Sequence, residues 1–359
     1  MKPLPSQQRP LLAICIPTFN RASSLRNLFY SLDAVKTRFG DEIEICISNN
    51  GSTDNTHEVI AEFVEKHPIN LYTQASNVGA TLNIIMVASQ MNASWGIWCG
   101  DDDEFDVDGI GRLLERLRTL QVSTWVLVDS AGASGQSLYM QHVAEGDFDA
   151  AGFRRAMLRS GLDPYGFMGV HVFPRSAVTL LQSLQLLEAQ PWPNIVGLLR
   201  FVMLENTRVH TMREIVTHQA KGGNNLFWLA GDLARIHLSK LRILHHITIS
   251  AHTNNSFLKI LMLSELYAKS KIGLMLAWRI YEPEDFNAHA WNTYCDAWSR
   301  LGLWLPAALP HVFAFTLVRL TPHPIMTVLL QITGRRHYIQ RYIRRKQELQ
   351  SFDGIKRGL

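Results

Sequence analysis

The sequence predicts an α/β fold: a doubly wound, mostly parallel sheet, followed by a mainly α-helical C-terminal region. Three observations carry that prediction. Up to about residue 130, short apolar runs of strand length alternate with stretches whose apolar residues recur at helical spacing. The runs are apolar nearly throughout, as strands covered by helices on both faces must be. Finally, Thr18–Arg21, Asn49–Asp54 and Asp101–Asp103 each directly follow one such run, which puts three polar clusters at the same edge of the sheet.

Taken in order, Leu11–Ile16 reads as a first strand that stops at Pro17, and Ser23 or Ser24 caps a helix with Leu25, Leu28, Phe29, Leu32 and Val35 on one face. Glu42–Ser48 alternates as a second strand and runs into the Asn-Gly turn at Asn49–Asp54. A helix with Val59, Ile60, Phe63 and Val64 follows, then a short strand at Ile69–Tyr72, the turn Asn77-Val78-Gly79 and a helix over Ala80–Met91. Trp95–Cys99 is the fourth strand. Asp101-Asp102-Asp103 leaves its end, ahead of a helix carrying Ile110, Leu113, Leu114, Leu117 and Leu120, and Trp125–Val128 is the fifth strand. Beyond residue 130 the pattern loosens. Phe148–Arg159 reads as helix, Tyr165–Phe173 as extended, Ser176–Ala189 and Ile195–Leu204 as helices, and His218–Asn225 as a polar loop. From Leu226 the chain reads as mostly helical.

Composition excludes several classes. Hydrophobic residues make up 47% and charged residues 18%, which fits a folded chain with a real core and no long disordered tract. Four cysteines in 359 residues make no disulfide framework. Cys15, Cys46 and Cys99 lie in apolar runs and read as buried hydrophobes of a reducing compartment. The N-terminus has no apolar run of the kind a secretory signal needs. The net charge of +4 is uneven: residues 335–359 carry eight Lys or Arg against Glu348 and Asp353, on a nearly neutral body. That distribution points to an anionic membrane surface and not to nucleic acid. Residues 335–346 interleave Tyr338, Ile339, Tyr342 and Ile343 with arginine, as an amphipathic basic helix does, although a plain solvated helix has the same pattern. Leu301–Val318 has no charged residue, but Pro306 and Pro310 interrupt it, so it reads as a core or surface helix before a membrane span.

Three adjacent carboxylates repel one another, and a cluster of this kind at the edge of a parallel sheet suits Mg²⁺ or Mn²⁺ shared with phosphates. Such a cation makes a diphosphate a better leaving group. No Walker lysine motif is present, and no glycine-rich dinucleotide fingerprint follows the first strand.

Four blocks, Ile16-Pro17-Thr18-Phe19-Asn20-Arg21, Asn49–Thr56, Asn77-Val78-Gly79 and Gly100–Asp103, fall in the order and spacing of the GT-A (Rossmann-like) family 2 glycosyltransferases. Within that family the chain resembles bacterial O-antigen enzymes of the abequosyltransferase type. The resemblance implies a domain at 1–225 for nucleotide sugar and acceptor and a helical region at 226–359 with the basic tail. It implies a nucleotide site at Pro17, Thr18, Asn20, Arg21, Asn50, Asn77, Gly79, Asn83, Asp102 and Lys221, with Asn50 on the base and Asp102 on the ribose. It implies Asp103 as metal ligand and catalytic residue, with Asp101 as second ligand. The expected partners are a nucleotide diphosphate sugar, carrying a deoxy or dideoxy sugar by analogy, and a lipid-linked glycan acceptor. The expected place is the cytoplasmic face of the membrane, bound peripherally.

Three departures from the family pattern stand out. Positions 49 and 50 are both Asn where an Asp is usual, Leu82 replaces a common Arg, and Trp192-Pro193-Asn194 stands where inverting members carry an acidic base. Asn accepts no proton at neutral pH. Asp163, His171 and Glu188 are the neighbouring candidates for that base, against a retaining transfer that needs none. Two other functions stay open: a sugar nucleotidyltransferase, and a family member that binds glycan or protein without catalysis.

Overall fold

The computed structural model describes residues 9–219, apart from 133, 134, 138, 142, 185–191 and 205, and a few isolated positions beyond residue 278. The chain divides into two units, Met1–Gly223 and Asn224–Leu359, and the elements below all belong to the first. Lys221, Glu188, the basic tail and, isolated positions aside, the region 226–359 lie outside the described residues.

The strands are β1 (Leu12–Thr18), β2 (Ile43–Asn49), β3 (Asn70–Thr73), β4 (Trp95–Trp98), β5 (Asp103–Phe105), β6 (Thr124–Ala131), β7 (Gly146–Asp149), β8 (His171–Pro174) and β9 (Arg208–Gln219). The helices are α1 (Ala22–Phe39), α2 (Thr56–Val64), α3 (Ala80–Ser89), α4 (Val107–Leu117), α5 (Ala150–Ser160), α6 (Val178–Gln182) and α7 (Pro193–Phe201). The strands form one sheet in the order β3-β2-β1-β4-β8-β6-β9-β5, with β7 on β9. β3, β2, β1 and β4 pair in parallel; β8 runs against both β4 and β6, and β9 returns parallel to β6. The sheet is therefore mostly parallel, with β5, β7 and β8 reversed.

The expected helix faces are buried. Leu25, Leu28, Phe29, Leu32 and Val35 of α1 and Ile110, Leu113, Leu114 and Leu117 of α4 all enter the core, each fully buried side chain contributing about 2 kcal/mol. Val64, expected on the buried face of α2, is exposed. Cys15, Cys46 and Cys99 are buried and free.

Several expectations change. β1 does not stop at Pro17; it runs to Thr18, because in a parallel pair Pro17 still aligns with Ser48. Neither Ser23 nor Ser24 caps α1. The Ala22 N–H is taken by Asp54 Oδ2 (3.3 Å), from the turn after β2. The segment Phe148–Arg159 divides into the end of β7 and α5, with Asp149 accepting the Gly152 N–H as cap (2.6 Å). The glycine-bearing segment before Phe173 makes 3-10 turns at Asp163–Tyr165 and Met168–Val170 before β8 starts at His171. Three strands were not legible in the sequence: β7, three-residue β5, which holds Asp103, and β9, which extends through His218 into what reads as loop.

Candidate active site

The three polar clusters expected at one sheet edge do meet there, and the turn Asn77–Gly79 joins them through side chains. Asn20, in the left-handed region at φ 53°, donates its N–H to Ser52 Oγ (2.9 Å), and its Oδ1 accepts from the Thr53 N–H (2.8 Å). Asp54 Oδ1 accepts from the Thr56 N–H, so one carboxylate holds the starts of α1 and α2 together. The second turn is tied to the third: Asn50 Oδ1 accepts from the Val78 N–H (2.9 Å), and Asn50 Nδ2 donates to Asn77 Oδ1 (3.0 Å). Asn77 Oδ1 also accepts from the N–H of Gly79, the residue that leads into α3. Gly51 permits this approach. It sits at φ 69°, and a Cβ there would lie 2.7 Å from the Ser76 carbonyl carbon.

The first turn is tied in turn to the acidic cluster. Thr18 Oγ1 donates to Asp101 Oδ2 (2.8 Å), while Arg21 lies 3.7 Å by Nε from Asp101 Oδ1 and 3.6 Å by Nη2 from Asp102 Oδ2. Asp103 opens β5 with its carboxylate turned back onto the Gly100 N–H (3.2 Å). A Cβ on Gly100 would meet Asp103 Oδ2 at 2.7 Å and Asp102 Oδ1 at 3.0 Å, so these two carboxylates converge on one point beside the Gly100 backbone. Among the described residues no group of three or more His, Cys, Asp or Glu side chains is arranged to hold a metal unaided. Two converging carboxylates, with phosphate and water completing the shell, are the donor set Mg²⁺ or Mn²⁺ takes beside a nucleotide.

Burial shapes the charge here. It raises Asp101 to about 6, an effect that Arg21 and the Thr18 hydroxyl oppose and the Asp102 charge reinforces. Asp103 is raised well above the usual carboxylate range, first by burial and then by Asp102. Of the three side chains, Asp102 is the more open, at 27% exposed against 11% for Asp101.

This arrangement coincides with a known family. Residues 13–173 match the family model for glycosyl transferase family 2. Over those residues the chain is similar to family 2 glycosyltransferases. The abequosyltransferase RfbV of Salmonella typhimurium is 34% identical over 105 residues, 29% of this chain and 31% of that protein. The match thus spans about a third of that relative's length. Among solved structures, S. aureus TarS superposes with a TM-score of 0.60 at 11% identity, over 86% of this chain and 55% of that one. The mannosyltransferase PcManGT from Pyrobaculum calidifontis, in complex with GDP-Man and Mn²⁺, does so at 0.53 and 15% identity, over 94% and 87%. The fold is GT-A.

The domain uses its other expected residues unevenly. Asn83 is buried, and its amide is taken up by the protein: Oδ1 accepts from Ser48 Oγ (2.6 Å) and Gln74 Nε2 (2.8 Å), and Nδ2 donates to Ser48 O (3.1 Å). It pins the strand ends and does not present itself to a nucleotide. The orientations of Asn50 and Asn77 are set by backbone N–H groups, leaving one N–H of Asn50 and both of Asn77 as donors. His171 is a correction. It is fully buried against Trp98 and Trp125, with Nε2 2.8 Å from Tyr165 O, and burial pulls it down to about 4. A base must reach a solvent-borne hydroxyl, and His171 reaches none. Asn194, in the place of the family's acidic base, is also buried, and its Nδ2 donates to Tyr165 O (3.0 Å) and Gly166 O (3.2 Å). Asp163 lies exposed at the start of the neighbouring 3-10 turn. The sequence reading overlooked Ser52 and Asp54 as residues that build the site; the spacing of Asp54 and Thr56, a side-chain-capped turn, was the available signal.

Proposed function

We propose that this protein transfers a sugar from a nucleotide diphosphate sugar to a hydroxyl of a lipid-linked glycan. The observation that carries the reading is the convergence of Asp102 and Asp103 over Gly100 at an edge where four polar turns are joined by hydrogen bonds. The nucleotide lies along Pro17, Thr18, Asn20, Asn50, Asn77 and Gly79, with the described donors of Asn50 and Asn77 towards the base. Asp102 and Asp103 would hold Mn²⁺ or Mg²⁺, whose chemistry is to neutralise the leaving diphosphate. The sequence alone pairs Asp103 with Asp101; our reading moves the second ligand to Asp102, because the Thr18 hydroxyl occupies one oxygen of Asp101, while Arg21 lies beside both carboxylates. Lys221 follows β9 and supplies a further cation to the diphosphate.

On the acceptor side, Asn194 and His171 brace the turn that carries Asp163, and Asp163 is the carboxylate offered to the acceptor hydroxyl. Likeness to the Salmonella abequosyltransferase supports a deoxy or dideoxy sugar in surface-polysaccharide synthesis. The basic segment 335–346 supports peripheral attachment to an anionic membrane at its cytoplasmic face. Among the described residues no helix is long and apolar enough to cross a membrane.

The test is sugar transfer from a panel of nucleotide sugars to lipid-linked glycan with Mn²⁺, comparing wild type with Asp103→Asn. Transfer lost in the variant supports the reading; unchanged transfer and unchanged metal dependence sink it. Pyrophosphate released from a nucleoside triphosphate and sugar phosphate would instead identify a nucleotidyltransferase.

A further inference from the structure

The first three turns at the sheet edge begin from residues that share one buried side chain. Thr18 ends β1 ahead of the first turn, Ser48 is the next-to-last residue of β2 ahead of the second, and Gln74 directly follows β3 ahead of the third. All three are buried, and so is Asn83, near the start of α3. The Asn83 amide reaches each of them. Its Oδ1 accepts from Ser48 Oγ (2.6 Å) and Gln74 Nε2 (2.8 Å), and its Nδ2 donates to Ser48 O (3.1 Å) and, in the longest of the four bonds, to Thr18 O (3.4 Å). A side-chain amide has two acceptor positions and two N–H donors, so the protein takes all four.

The same three residues carry the contacts that build the site. Thr18 O also accepts the Asn50 N–H (2.9 Å), and Thr18 Oγ1 donates to Asp101 Oδ2 (2.8 Å). The Gln74 N–H donates to Asn49 O (2.9 Å), and Asn50 in turn holds the Val78 N–H. A shift at any one turn start is therefore passed on to Asn50, Asn77 and Asp101. Only a side chain with donors and acceptors together can join two carbonyls, a hydroxyl and an amide at once. A carboxylate of the same shape has no donor, and a leucine has neither.

We propose that Asn83 is a positioning residue for the nucleotide: its single amide sets the spacing of the three turns that receive the nucleotide, without touching it. This rests on the donor-site reading above and adds the residue that holds that site in register. A side chain that merely fills the core changes affinity only as far as it changes stability. A spacer changes affinity at constant stability.

The experiment compares three full-length proteins: wild type, Asn83→Leu, and the triple variant Ser48→Ala, Gln74→Met, Asn83→Leu. Each is followed by urea unfolding, by binding of UDP, CDP and GDP with Mn²⁺, and by NMR exchange of the Asn50, Thr53 and Val78 amides, with Ile14 and Ile45 as references inside β1 and β2. Asn83→Leu leaves the Ser48 hydroxyl and the Gln74 amide unpaired and should lose stability and affinity together. The triple variant removes both stranded partners, so its unfolding should return close to wild type. Its affinity for the diphosphate that wild type binds best should stay about tenfold weaker, and the three turn amides should exchange about tenfold faster than in wild type, because nothing then joins the turn starts. If affinity and exchange recover with stability, or if exchange rises equally at Ile14 and Ile45, Asn83 only completes the core and the positioning role is refuted. If wild type binds none of the three diphosphates, the donor-site reading fails, while the exchange rates still decide whether Asn83 spaces the turns.

Discussion

The parallel side of the sheet and the mixed side spend their polar residues in opposite ways. On the parallel side, β3-β2-β1-β4, polar side chains stand at the strand ends and bond from turn to turn: Thr18 to Asp101, Asn20 to Thr53, Asn50 to Val78. On the mixed side they turn inward. His171, Asn194 and Asp129 are all buried. Asp129 Oδ1 accepts from the N–H groups of Ser130, Tyr139 and Met140, and its Oδ2 accepts from the Ser137 hydroxyl. The difference teaches that residue type is a poor guide to role. A carboxylate or imidazole is free for chemistry only where the fold leaves it an open side, and parallel strands ending together provide that while antiparallel strands closing over a core do not.

The comparison predicts a division between variants that lose binding and variants that lose stability. Asp102→Asn should show the largest effect on function. It removes charge from the carboxylate that both Arg21 and the proposed metal use, and transfer should fall on the order of a thousandfold with little change in melting temperature. A large drop in melting temperature would break the comparison. Asp129→Ala should do the reverse. It removes the acceptor of two buried N–H groups, a part-buried one and a hydroxyl, costing about 3 kcal/mol in denaturant unfolding, while Mn²⁺ and nucleotide affinity persist.

His171 gives the division a pH signature. Its folded pKa is depressed to about 4, so the neutral imidazole stabilises the fold above the ordinary value of 6.5. As pH falls from there towards 4 the unfolded chain gains a proton the folded chain cannot take, and about 3 kcal/mol is lost. His171→Gln should flatten that part of the stability profile and leave the pH profile of transfer in place. If transfer changes its pH profile instead, His171 is catalytic after all. Gly51→Ala should cost about 1–2 kcal/mol, and it should weaken nucleotide binding as well, because the strain falls on the contact between the second and third turns. The smallest expected effect is a base preference of a few-fold. With N–H donors left at Asn50 and Asn77, a cytosine edge, whose N3 and O2 accept, should give a larger thermal shift than a uracil edge, whose N3–H donates. Equal shifts would remove these two residues from base recognition.

Much of the parallel side was legible from the chain. Apolar runs followed by Asn-, Gly- and Asp-rich turns fix both the strands and the edge at which the turns gather, because strand and turn are local properties. Helix capping was less legible, since α1 takes its cap from Asp54, a residue of the next turn but one in the chain. β5 and β9 escaped for the same reason. Three residues beginning with Asp103 become a strand only because Thr217–Gln219 lies alongside them.

By itself the sequence determined the alternation, the sheet edge and the presence of a carboxylate cluster there, because periodicity and turn chemistry act between near neighbours. The tertiary structure alone decided how the cluster is shared: Asp101 to Thr18, Arg21 between Asp101 and Asp102, Asp102 and Asp103 to a point above Gly100, His171 and Asn194 to the core. Those assignments depend on contacts between residues as many as 83 positions apart, and such contacts are set by packing and burial, which no local pattern encodes.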